Sequence, residues 1–303
     1  MRTLRIQRVH RVRRHTEPVS ASPISEYRTQ TQVRPVVAPR RTVPAWLHIV
    51  AMIAVAVTVM SLLVRFAIHS MRGFRFDQRL MDSVTTSAGA WSSFMDVLSR
   101  VTDFSVAACL IGCVAIAVVQ RRLAVAMGAI VLVAGANVTT QVLKYRVFEA
   151  VVGNNSLPSG HTTVGLSLAL AFVLVAPPSW RQVVVPFAAL SATFVGAGTV
   201  AGHWHRPADV AAGGMVCLGW AAVALAVVAL FQSRVVVTQA RRGLLLGALL
   251  GVVVAGVAFV AMGVRPSLGI SDVPVATFTL TALGVMFAIV VGWVSIAMDR
   301  IVA

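Results

Sequence analysis

The chain has 303 residues, of which 58% are hydrophobic and 12% charged, about half the charged share of an average soluble protein. The apolar residues come in long unbroken runs, which excludes a soluble globular domain and makes the chain a polytopic membrane protein. The net charge of +16 would point to nucleic acid in a soluble protein, but no recognition motif accompanies it, and membrane topology accounts for it instead.

Residues 1–45 carry ten arginines together with Pro18, Pro23, Pro35, Pro39 and Pro44. Such a segment buries no core and is expected to be a basic, disordered, cytoplasmic tail. Arg2, Arg5, Arg8 and Arg11 recur every third residue. They either lie on anionic lipid headgroups or, the preferred reading, anchor the topology by holding the N-terminus in the cytosol. No cleavable leader is expected, because the polar tail precedes an apolar run that continues for a full span. Cys109, Cys113 and Cys217 all fall inside apolar runs and give no disulfide framework.

Eight apolar runs follow, at about 46–64, 104–120, 123–143, 162–176, 183–202, 210–232, 243–264 and 275–298. Most approach the ~20 residues a helix needs to cross the hydrocarbon core. The second and fourth are short and are expected to extend into their flanks. Backbone groups in lipid must bond internally, and alternation suited to a barrel is absent, so the class is an all-α polytopic transmembrane bundle. We divide it into the tail 1–45, a six-span core 46–235 and an extra C-terminal two-helix hairpin 236–303. The stretch 65–103 has scattered apolar residues at near-helical spacing, which fits one or two interfacial helices.

With the N-terminus inside, the inner segments hold the tail arginines plus Arg121, Arg122, Arg181, Arg234, Arg241, Arg242 and Arg300, against Glu17, Glu26 and Asp299. The outer segments hold nine basic and seven acidic residues. The positive-inside rule therefore predicts an integral protein of the cell inner membrane with both termini cytoplasmic.

This threading brings three polar clusters to the extracytoplasmic face. Lys144, the only lysine in the chain, ends the third span; Pro158-Ser159-Gly160-His161 opens the fourth; His205 and Asp209 lie between the fifth and sixth. Ser159 is a good N-cap and Gly160 admits a ligand close to the backbone, so the helix start is an anion site with His161 placed to donate a proton. Taken alone, the tetrapeptide is equally an ordinary capped helix start. On a helix, His205 and Asp209 share a face, and a carboxylate on one imidazole nitrogen leaves the other nucleophilic; a structural ion pair is the plainer alternative. A zinc site from His203, His205, Asp209 and His161 is the chemical rival.

These residues resemble the type 2 phosphatidic acid phosphatase superfamily of integral membrane phosphatases, whose pattern runs lysine, arginine-proline, Pro-Ser-Gly-His, then Ser-Arg, five residues, His, three residues, Asp. Lys144, the tetrapeptide 158–161 and the pair His205/Asp209 match in order and approximate spacing. The resemblance covers residues 46–232. It implies that His205 attacks phosphorus, Asp209 orients His205, and His161 protonates the leaving alkoxide. It further implies that Lys144 holds the phosphoryl oxygens with the Ser159 side chain and the Ser159 and Gly160 amides. The implied substrate is a lipid phosphate or diphosphate, such as phosphatidic acid, phosphatidylglycerol phosphate or a polyprenyl diphosphate, and the scheme needs no metal or cofactor. The preference for arginine over lysine and the Ala/Val richness point to a GC-rich bacterial genome.

Two places depart from the family pattern. Its first arginine falls near Ala150 to Val152, and its Ser-Arg aligns with Gly198-Thr199, so both clamping arginines are absent. Either Arg146 and Arg206 substitute from new positions, or the cradle is weaker, or hydrolysis is lost. The last reading leaves a phospholipid-binding scaffold; a transporter or flippase is the further alternative.

Overall fold

The computed structural model describes residues 44–87, 89, 92, 96, 103–148, 156–231, 243–267 and 270–302. The basic tail with its headgroup contacts, Glu149 and the place of the first family arginine all lie outside the described residues.

Among the described residues the eight apolar runs each form a helix, and an amphipathic helix lies between the first two. Helix α1 spans Ala45–Leu63 and tightens into a π-turn at Val64–Ile68. Helix α2, Met71–Asp82, starts at a cap in which the Gly73 amide donates to Ser70 Oγ at 3.2 Å. Helix α3 spans Asp103–Val119, and α4 spans Leu123–Val142 with a π-turn at Leu143–Val147. Helices α5 (Gly160–Val175), α6 (Arg181–Ala201) and α7 (Pro207–Phe231) follow. The hairpin is α8 (Gly243–Ala261) and α9 (Val273–Val302).

Six of these helices are long and apolar enough to cross a membrane. The fourth run was expected to extend into its flanks but gains only Gly160 and His161 and stops at Val175. The Ser159 cap blocks it at one end and Pro177-Pro178 at the other, because proline disfavours helix in the residue before it. At 16 residues α5 is about 24 Å long, short of the ~30 Å hydrocarbon core.

Contacts at the helix ends establish the alternation. At one end, Arg122 Nη1 at the start of α4 donates to Val175 O at the end of α5 at 3.3 Å. There too, Arg181 at the start of α6 forms a buried ion pair with Asp299 near the end of α9. At the other end, the start of α5 meets the start of α7, where the Ser159 amide donates to Asp209 O at 2.9 Å. Small residues allow close approach, as is usual where helices pack in lipid. A Cβ on Gly213 of α7 would lie 3.0 Å from Ser159 O.

Helix α2 carries Gly73, Asp77 and Met81 on one buried stripe, four residues apart, with Arg72, Arg75 and Arg79 exposed. It packs against α7 and α9. The hairpin lies along α6, with Phe194 and Phe259 stacked at 5.5 Å. The loop between α8 and α9 pairs antiparallel with the segment after α2, joining β1 (Val84–Thr85) to β2 (Arg265–Pro266).

Candidate active site

The start of α5 has one side chain for two donors. Ser159 is fully buried, and its Oγ accepts from the Thr162 amide at 3.3 Å and from Thr162 Oγ1 at 3.0 Å. Its own amide, expected among the phosphate donors, goes to Asp209 O instead. Helix geometry leaves the Gly160 and His161 amides without an intrahelical acceptor. A Cβ built on Gly160 would meet nothing within 4 Å. Packing therefore does not require glycine there, and the space where its Cβ would stand, beside this helix start, is open.

His161 and His205 come together from α5 and from the loop before α7, with ring centroids 6.1 Å apart, and Trp204 lies 5.3 Å from His161. His205 is nearly buried, and its Nδ1 faces Asp209 Oδ2 at 3.5 Å. Nε2 is then on the far side of the ring from the carboxylate. Thr199 O holds the loop by accepting from the Trp204 amide at 2.9 Å and the His205 amide at 3.2 Å. Thr199 itself, at the place of the family's second arginine, is fully buried, with Oγ1 donating to Gly196 O at 2.8 Å.

Asp209 is fully buried at the third position of α7. Its Oδ2 accepts from Ser156 Oγ at 2.5 Å and reaches back to the Arg206 amide at 3.0 Å, as in the return half of a capping box. The Arg206 guanidinium turns inward. Its Nη2 donates to Ser156 Oγ at 3.2 Å and lies 3.7 Å from Asp209 Oδ1, while Nε lies 3.8 Å from Asp77 Oδ2. The group sits over the Phe74 ring at 4.6 Å. Arg206 thus follows His205 in the chain and is held between two carboxylates.

Lys144 is half-buried on the π-turn that ends α4, 5.7 Å from the Tyr145 ring centre, and its charge reaches His161. Arg146 is exposed two residues further on. His203 is drawn away from the site: its Nε2 meets Val84 O at 2.8 Å, and its Nδ1 lies 3.8 Å from Asp82. The four side chains of the zinc alternative are therefore not gathered, and no metal-binding group of three or more His, Cys, Asp or Glu occurs among the described residues.

Asp77, Phe74 and Ser156 join the site without having been predicted. Asp77 is 2% exposed, and its carboxyl is pushed up to about 7. Burial is the largest cause, the nearby Asp209 adds to it, and the Ala208 amide and Arg206 oppose it. The available signal was an acid on the apolar stripe of an amphipathic helix, a place where a carboxyl needs a partner.

The family described as the PAP2 superfamily matches residues 45–235. The chain matches no curated protein and no solved structure. The match spans more than half of the chain and contains Lys144, the Ser159–His161 helix start and the His205/Asp209 pair, and the chain accordingly belongs to the PAP2 superfamily, a membership that supports phosphatase activity on phosphate esters.

Proposed function

We propose that this protein hydrolyses a lipid phosphate or diphosphate at the extracytoplasmic face of the inner membrane, without a metal, through a phosphohistidine on His205. The observation that carries the reading is the convergence of His161 and His205, 6.1 Å apart, beside the open start of α5. His205 Nε2 attacks phosphorus and the bond to the leaving oxygen breaks. His161 gives that oxygen its proton, and water then cleaves the P–N bond. Asp209 stabilises the imidazolium, while the Gly160 and His161 amides and Lys144 face the phosphoryl oxygens, whose developing charge such donors stabilise.

An apolar groove of about 360 Å³ supports a lipid substrate. It runs between α1, α4 and α7 and is lined by Met60, Ser61, Thr139, Met215, Trp220 and Val223 among others. Along α7 it extends from about 9 Å to about 21 Å below Asp209, the depth at which the chain of a headgroup-bound lipid lies. The sidedness rests on the excess of arginine in the opposite loops.

Phosphate release by detergent-purified protein tests the reading, with phosphatidic acid, phosphatidylglycerol phosphate and a polyprenyl diphosphate compared with and without EDTA. Release that survives EDTA and disappears in His205→Ala is the expected result. Release abolished by EDTA, or unaffected by the substitution, contradicts it.

A further inference from the structure

We infer that Asp77, on the interfacial helix α2, is a positioning residue of this site: it sets the start of α7 and the Arg206 guanidinium, and through them the His205/Asp209 pair. The inference rests on the phosphatase reading above.

Sequence alone gives Asp77 no reason to be buried. It lies on a short polar helix outside the spans, 131 residues from its partner Ala208. Yet it occupies the inward stripe of α2, between Gly73 and Met81. There its Oδ1 accepts the Ala208 amide at 2.9 Å. That amide is one of the first of α7, which has no intrahelical acceptor. Asp77 therefore supplies from another helix the capping bond that Arg206, the residue preceding the first turn, does not supply.

The other carboxylate oxygen faces Arg206 Nε at 3.8 Å, and Phe74, three residues before Asp77, lies under the guanidinium at 4.6 Å. Helix α2 thus grips Arg206 with two side chains from adjacent positions on one face. The opposite edge of the guanidinium faces Asp209 Oδ1 at 3.7 Å, the same carboxylate that faces His205. Asp77 and Asp209 share one cation. Above about pH 7, where the Asp77 carboxyl is ionised, its removal takes away one of the two carboxylates beside Arg206, and Asp209 then stabilises a charged imidazole less. The side-chain contacts end at the Asp209 carboxylate; α5 is met only through the Asp209 carbonyl, which accepts the Ser159 amide, so the effect belongs in turnover rather than in substrate binding.

Steady-state kinetics of the full-length protein in lipid–detergent micelles test this, using whichever lipid phosphate the wild type hydrolyses. The variants are Asp77→Asn, Arg206→Met and the two combined, with thermal unfolding of each measured in parallel. The expected result is a fall in kcat of about 10- to 100-fold for Asp77→Asn, the scale of a small misplacement of a reacting group. KM should stay within about twofold, and the double variant should recover part of the loss because the cation that competes with His205 for Asp209 is gone. Unchanged kcat, a loss confined to KM, or a double variant no better than the product of the single losses overturns the role of Asp77 while leaving the phosphatase reading standing. A wild type that hydrolyses none of the lipids overturns the reading and the inference together.

Discussion

At the scale of single residues, the site is a set of buried charges balanced against one another. Asp77 and Asp209 face one arginine, and Asp209 also faces His205. The Asp77 carboxyl, ordinarily near 3.8, stands at about 7 chiefly because of its burial. Between those two values the folded chain keeps a proton that the unfolded chain has released. The contribution to stability is therefore complete below about pH 4 and falls as pH rises to about 7. Thermal unfolding in detergent across that range should show the decline in the wild type and a flatter profile in Asp77→Asn, which has no proton to lose. Identical slopes would contradict the assignment. That His161, His205 and Asp209 come together was legible because motif spacing is a property of the linear chain. Asp77 and Ser156 were not, because their partners Ala208 and Arg206 are 131 and 50 residues away and only packing joins them.

At the scale of elements, the start of α5 combines a sealed cap and an open mouth. Ser159 is enclosed by the Thr162 side chain and α7, and replacing it with alanine should cost about 1 kcal/mol of stability, the usual worth of an N-cap. Gly160 differs, since a Cβ there meets nothing within 4 Å. Gly160→Ala should leave the melting temperature nearly unchanged while placing a methyl group where a phosphoryl oxygen approaches the backbone. We expect KM for the lipid phosphate to rise by roughly tenfold, the equivalent of about 1.4 kcal/mol of lost binding. Unfolding curves and steady-state kinetics on the same preparation separate the two effects; a destabilised protein with unaltered KM would show that the glycine serves packing. The apolar runs marked every long helix, because burial in lipid demands continuous apolar length. The end of α5 was misjudged because a cap and a Pro-Pro step override the apolar pattern.

At the scale of the whole molecule, a phosphatase core is fastened to a hairpin that lies outside the family match apart from its share of contacts. The hairpin is joined to α6 by the buried Arg181–Asp299 pair at one end and to the segment after α2 by the β1–β2 pairing at the other, where His203 also meets Val84 O. The loop that carries His205 is therefore tied at His203 to a strand that pairs with the hairpin, a connection that runs of apolar residues do not reveal. The two absent family arginines are the severest departure. Thr199 fills one position completely, and Arg206 stands beside His205 but between two carboxylates. Whether the remaining cradle supports turnover is decided most directly by trapping the covalent intermediate. The protein is mixed with its lipid phosphate, quenched in alkali within one turnover and digested, and the peptide bearing His205 is weighed. The expected result is a gain of one phosphoryl group on that histidine, absent in His205→Ala. Turnover with no phosphoryl group on His205, or with one on another residue, would contradict it.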